Sequence, residues 1–108
     1  MQTVQKATNT YRAHVHVDGW VEEAVIRRED GSYLVDGLLP AAAMQKRLGM
    51  PGVDELARKY NFETAAGLLL TIMGRIPEPG DTAHWKGYRF EVVAMDRLRI
   101  AKILMRPP

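Results

Sequence analysis

The sequence predicts a small two-layer α+β domain: an N-terminal β-hairpin, two or three helices, then a three-stranded antiparallel meander. Three observations carry this expectation. Two short strands, residues 26–29 and 32–35, are expected on either side of Asp30-Gly31, a strong hairpin-turn dipeptide. Residues 64–74 are uncharged and mostly apolar, with Leu68, Leu69, Leu70, Ile72 and Met73 leaving almost no polar face, which is the pattern of a buried helix. Residues 88–95 alternate, with Tyr88, Phe90, Val92 and Ala94 on one face and Arg89, Glu91, Val93 and Met95 on the other.

Each element follows from its residues. Met1 to Thr10 is polar and aperiodic, and His14-Val15-His16-Val17-Asp18 alternates like a strand, so residues 1–24 read as a linker or lead-in. The domain proper spans residues 25–106. Asp36-Gly37 closes the hairpin's second strand, where Gly37 implies positive φ or close backbone approach. Leu39-Pro40 opens a helix over 41–48, with Pro40 in its first turn, Gly49 past its end, and Ala41, Met44 and Leu48, together with Leu38, on the buried side. A short helix over 53–60 is weakly signalled by Leu56, Ala57 and Tyr60. Gly67 inside the central helix costs about 1 kcal/mol against Ala, so it implies close packing. Gly74 suits a left-handed C-terminal cap and Arg75 the negative helix end. Ile76-Pro77-Glu78-Pro79-Gly80-Asp81 excludes helix and interior strand, and Pro79-Gly80 favours a type II turn. Strands then follow over 82–85, 88–95 and 99–105. Ile100 and Ile103 are three apart, out of step with a strand's period of two, and a bulge between them reconciles the pattern.

Composition excludes several classes. The 108 residues include no Cys, which removes disulfides, thiolate metal sites and a cysteine nucleophile. The uncharged run of residues 64–74 is too short for a bilayer span, which needs about 20 apolar residues. No basic-then-apolar segment opens the chain, so a signal peptide is not expected. The net charge is +2, unevenly spread: residues 1–54 hold 6 basic and 7 acidic groups, residues 55–108 hold 9 and 6. The basic C-terminal strands suit outward, solvated positions that discourage edge association, and no aromatic platform makes them a nucleic-acid motif.

Catalytic constellations are thin. His14 and His16 could join a divalent metal but lack a matched third ligand, His84 stands alone beside Trp85, and Ser32 lies in a turn without a nucleophile elbow. Glu29, Asp30 and Asp36 could hold Mg²⁺ only loosely, and turn formation explains them more simply. No glycine-rich phosphate loop is present. The expectation is no enzyme, no catalytic residue and no metal site.

The motif string is more specific. Residues 27–37, with Asp30-Gly31 and Asp36-Gly37, then Leu39-Pro40, Thr64-Ala65-Ala66-Gly67-Leu68, Gly74-Arg75-Ile76-Pro77-Glu78-Pro79-Gly80-Asp81 and Tyr88-Arg89-Phe90-Glu91-Val92 follow in order over residues 26–106. This string resembles the CorC/HlyC transporter-associated domain. The resemblance implies a cytoplasmic C-terminal piece of a hemolysin-like membrane protein that carries a transmembrane domain and paired CBS modules and is described as a magnesium and cobalt efflux transporter. It implies a modulating role in ion transport, a homodimeric parent, and a fold similar to a subdomain of FAD-binding proteins. Residues 1–24 would be the linker from the CBS modules. Asp30, Gly31, Asp36, Gly37, Pro40, Gly67, Gly74, Arg75, Pro77, Pro79, Gly80, Asp81 and Phe90 would be mainly structural. Two alternatives stay open: binding of FAD or an adenine nucleotide, suggested by fold analogy alone, and divalent-metal sensing by the acidic turns. The chain departs from the family pattern at Ala41-Ala42-Ala43, where acidic residues are usual, in a longer and more basic stretch over 54–62, and in a last turn, Asp96-Arg97-Leu98, that lacks Gly.

Overall fold

A computed structural model of the chain describes residues 10–11 and 24–108. The elements run β1 (Thr10–Tyr11), β2 (Val25–Arg27), β3 (Tyr33–Asp36), α1 (Ala41–Leu48), α2 (Val53–Tyr60), α3 (Ala65–Met73), β4 (Thr82–Trp85), β5 (Tyr88–Asp96) and β6 (Arg99–Arg106). All strands join one sheet in the order β1-β2-β3-β6-β5-β4, every pairing antiparallel. The hairpin and the meander are as expected. They meet where β3 lies against β6, with Val35 opposite Ile103 and Asp36 opposite Lys102. The lead-in contributes β1, whose Thr10 and Tyr11 pair with Ile26 and Val25. The His14–Asp18 alternation lies outside the described residues.

One sheet face packs on the helices. Val25, Val35, Phe90, Val92, Ile103 and Met105 from the strands and Leu39, Met44, Met50, Val53, Leu68 and Leu69 from the helical layer are all essentially fully buried in one cluster. Within the helical layer, Asp54 N–H donates to Gln45 Oε1 at 2.8 Å, and between the layers Tyr88 Oη of β5 donates to the Gly49 carbonyl at 3.3 Å.

The bulge anticipated between Ile100 and Ile103 exists, and it has a counterpart. Val93 is an extra residue on β5 between the pairs Val92–Ile103 and Ala94–Lys102, and Ala101 is an extra residue on β6 before Met95–Ile100. Each extra residue moves the following side chains to the opposite face. This corrects the alternation expected for β5: Ala94 is only half-buried opposite Lys102, while Met95 packs on the core.

Other expectations shift for local reasons. Leu38 is exposed (51%) and Leu39 takes the core position, because a turn over 36–39 aims Leu38 outward: its N–H donates to Asp36 Oδ1, and Leu39 N–H donates to the Asp36 carbonyl. Pro40 precedes α1 as an extended N-cap rather than sitting in its first turn. Leu48 is half-buried. The first strand ends at Arg27, since Arg28 and Glu29 belong to the turn. In α2 the buried residue is Val53, and Tyr60 is exposed. The central helix is not buried on nearly all sides. Ala65, Ala66, Leu68 and Leu69 are buried, whereas Leu70, Ile72 and Met73 are half-buried.

Candidate functional site

The motif residues occupy three chain reversals. In the first, Arg28 N–H donates to the Ser32 carbonyl, Gly31 N–H donates to the Arg28 carbonyl, and Gly31 takes φ +88°. Asp30 Oδ1 accepts from the Ser32 hydroxyl at 2.6 Å and from the Ser32 N–H at 2.9 Å, and Asp30 Oδ2 meets Arg106 at 3.2 Å. Ser32 is buried, so the carboxylate supplies a partner that its hydroxyl needs. The Ser32 hydroxyl, then its N–H, with Arg106 adding less, lower the Asp30 pKa from 3.8 to about 2.

The second reversal binds β3 to the start of α3. Gly37 N–H donates to the Ala101 carbonyl, in the β6 bulge, at 2.9 Å. Its φ is not positive; close approach is what demands glycine, because a Cβ there would lie 2.0 Å from the Ile100 carbonyl oxygen. The Gly37 and Leu39 carbonyls accept from Ala66 N–H and Ala65 N–H, Thr64 Oγ1 caps Gly67 N–H at 3.1 Å, and the Thr64 carbonyl takes Leu68 N–H. The three orphan amides of the first turn of α3, those of Ala65, Ala66 and Gly67, are therefore taken, and none of them is left to cradle a pyrophosphate. Pro40 bridges to Thr64 beside this contact. Gly67 packs against Phe62, whose Cβ would be 2.7 Å from an added methyl.

The third reversal carries the chain from α3 into the sheet. Gly74 caps α3 at φ +72°, its N–H donating to the Leu70 carbonyl. Pro77 is buried. Glu78-Pro79-Gly80-Asp81 is the expected turn, closed by Asp81 N–H to the Glu78 carbonyl at 3.0 Å, with Gly80 at φ +95°. Asp81 Oδ2 accepts from Glu78 N–H and from Arg75, both at 2.9 Å; the amide, then Arg75, lower the Asp81 pKa. Gly80 N–H and the Asp81 carbonyl bond to Val92, and next to it Phe90 is fully buried in the core.

These aspartates do not converge. Asp30 pairs with Arg106, Asp36 with Lys102 at 3.4 Å, and Asp81 with Arg75. Among the described residues no three His, Asp or Glu side chains are grouped to hold a metal ion. Exposed His84 stands on β4; His14 and His16 lie outside the described residues. A groove of about 380 Å³ runs between the start of α1 and α2, lined by Ala41, Ala42 and Ala57 together with Asp54, Arg58 and Glu63. Its lining mixes charge signs, so it offers no cationic cradle for a dinucleotide. Sequence reasoning missed two contributors. Ser32 gives no periodicity signal, but the Asp30-x-Ser32 spacing is that of a side chain capping its own turn. Thr64 reads as helical, although a Thr just before an apolar run marks an N-cap.

The profile of the CorC/HlyC transporter associated domain matches residues 26–108. The chain belongs to this family. A solved transporter associated domain from a Xylella fastidiosa Temecula1 hemolysin, in complex with Mg²⁺ and Mn²⁺, is 36% identical, covering 79% of this chain and 98% of that one at a TM-score of 0.66. A transporter associated domain from Nitrosomonas europaea is 28% identical, covering 79% and 96%, at a TM-score of 0.68. Among curated proteins, the polyamine export protein of Salmonella typhimurium is 34% identical over 85 residues. The match takes in 79% of this chain but 18% of that relative, so this transporter associated domain spans less than a fifth of its length. No helix among the described residues is long and apolar enough to cross a membrane.

Proposed function

We propose that this transporter associated domain is a non-catalytic accessory part of a membrane transporter and modulates the passage of a multivalent cation. The supporting observation is that a domain of this family makes up a small share of a much longer polyamine export protein. Its working partners are then the transmembrane and CBS domains of its parent, at the cytoplasmic face of the membrane, in a homodimer. The family resemblance points to magnesium and cobalt as cargo and the relatives' names to polyamines; both are cations of charge two or more. The domain needs no cofactor in this reading. The occupied α3 amides and the separate, ion-paired aspartates support it over a flavin, adenine-nucleotide or metal-sensing role.

The test is efflux of spermidine, Mg²⁺ and Co²⁺ by the full-length protein with and without residues 26–108. A changed rate or a changed dependence on internal cation, with transport retained, is the expected result. Unchanged efflux of all three cations overturns the modulating role. Turnover of any substrate by the isolated chain, or a visible flavin spectrum after purification, overturns the non-catalytic and cofactor-free parts. The second reading, metal sensing, is favoured by the Mg²⁺ and Mn²⁺ held by the Xylella relative. Calorimetric titration with both ions decides it.

A further inference from the structure

The sheet face turned away from the helices carries a row of basic residues across three strands. Register sets His84 of β4 directly opposite Arg89 of β5, and Arg89 directly opposite Arg106 of β6. Directly paired residues share a face. Their chain neighbours Ala83, Phe90 and Met105 are buried in the core, so these three point away from it. No described helix covers them.

Like charges directly opposite each other destabilise a sheet, and other bases on these strands have partners. Lys102 meets Asp36, Arg99 meets Asp96, and Arg106 is held from one side by Asp30. Arg89 differs. It is half-buried, lies between two other basic residues, and its side chain has no ion pair or hydrogen bond among the described residues. The acid on its own strand and face, Glu91, sits opposite Leu104 and forms no ion pair with it.

We propose that His84, Arg89 and Arg106 form a binding site for a phosphate group. Adjacent strands lie about 4.8 Å apart, so the row spans roughly 10 Å, within reach of two arginine side chains converging on one anion. Each guanidinium presents a planar fork that bonds two phosphate oxygens, and the outward imidazole N–H of His84 donates to another. A bound phosphate supplies the negative charge that Arg89 lacks and that Asp30 gives Arg106 from one side only. The same chemistry is offered by a free phosphate ester and by a phospholipid headgroup, and the site recognises what they share.

The experiment uses the 108-residue chain and its Arg89→Gln and Arg89→Lys variants. Glycerol 3-phosphate is titrated by NMR and by thermal shift against chloride at matched ionic strength. Co-sedimentation is measured with phosphatidylcholine vesicles with and without phosphatidylglycerol. The expected result is saturable binding by the wild type to at least one of these probes beyond the chloride effect. Arg89→Gln should weaken it about tenfold or more, and Arg89→Lys, which keeps the charge without the fork, by less. In chloride, Arg89→Gln should melt no lower than wild type, since the opposed charge is gone. Saturation by glycerol 3-phosphate identifies the soluble ester as a source; binding only to phosphatidylglycerol vesicles identifies the headgroup. A wild type that responds to neither probe, or an Arg89→Gln variant that binds as tightly as wild type, overturns the proposal.

Discussion

Replacing Gly37 by alanine puts the junction of β3, β6 and α3 to the test. An added Cβ would sit 2.0 Å from the Ile100 carbonyl oxygen and 3.0 Å from its carbon. Normal contact lies well beyond 3 Å, so one backbone must retreat by about 1 Å or more. Both candidates are held. Gly37 N–H bonds the Ala101 carbonyl and the Gly37 carbonyl takes Ala66 N–H, each at 2.9 Å. Overpacking of a tight core costs about 1–3 kcal/mol, and each buried backbone group left unpaired costs about 1–3 kcal/mol more. The expected loss is therefore about 3–5 kcal/mol, a large part of the roughly 4–12 kcal/mol available to a domain of this size. At about 4–8 °C per kcal/mol, the melting temperature should drop by more than 10 °C. Urea and thermal unfolding followed by circular dichroism read both quantities. Gly74→Ala is the matched control, because its cost is backbone strain alone: φ is +72° and nothing lies within 4 Å of an added Cβ. It should lose only about 1 kcal/mol. If Gly37→Ala falls within 1 kcal/mol of wild type, or no lower than the Gly74 control, the close-approach reasoning is wrong.

Gly74→Val, with the same open surroundings, should cost about 1–2 kcal/mol of left-handed strain and no packing; a melting temperature within 1–2 °C of wild type would show that α3 does not need this cap. Asp30 has a folded pKa of about 2 against 3.8 unfolded, so its stabilisation is fully present above 3.8 and is lost as pH falls toward 2. Wild type should therefore lose stability more steeply than Asp30→Asn over that window, and parallel acid-unfolding curves would refute the assignment. The half-buried apolar residues Leu70, Ile72 and Met73 of α3, with exposed Ile76 nearby, motivate self-association. Light scattering at about 100 µM should give a dimer mass, since a ~10 µM dimer is mostly formed there; a monomer at both low and moderate salt removes the idea.

Where a local rule acts alone, the chain announces its fold. Asp30-Gly31, Pro79-Gly80 and the Gly74 cap were legible because turn chemistry needs only neighbouring residues. The β6 bulge was legible because Ile100 and Ile103 break a period of two. Its partner at Val93 was not, since Val93 and Ala94 satisfy either alternation and only the opposite strand decides between them. Leu38 and Leu39 are equally apolar, and the Asp36 side chain that aims one outward cannot be ranked by hydrophobicity. The candidate site shows the same divide. Motif order located the residues, but Gly37's role depends on a carbonyl more than sixty positions along the chain. Arg89 looked like one outward base among many until register set it between His84 and Arg106.

The β3–β6 seam has a kinetic consequence. It joins Asp36 to Lys102, 66 positions apart, near the middle of the sheet. Closing a loop of that length costs about 4 kcal/mol of chain entropy before any contact rewards it. The three helices and the β4–β6 meander, by contrast, form from neighbours in sequence. The N-terminal hairpin is therefore made early but seated late, and folding should run at the slow pace of non-local strand pairing rather than that of helices. During synthesis, β2 and β3 emerge well before β6, and the β3 edge stays unpaired until β6 has emerged to receive it.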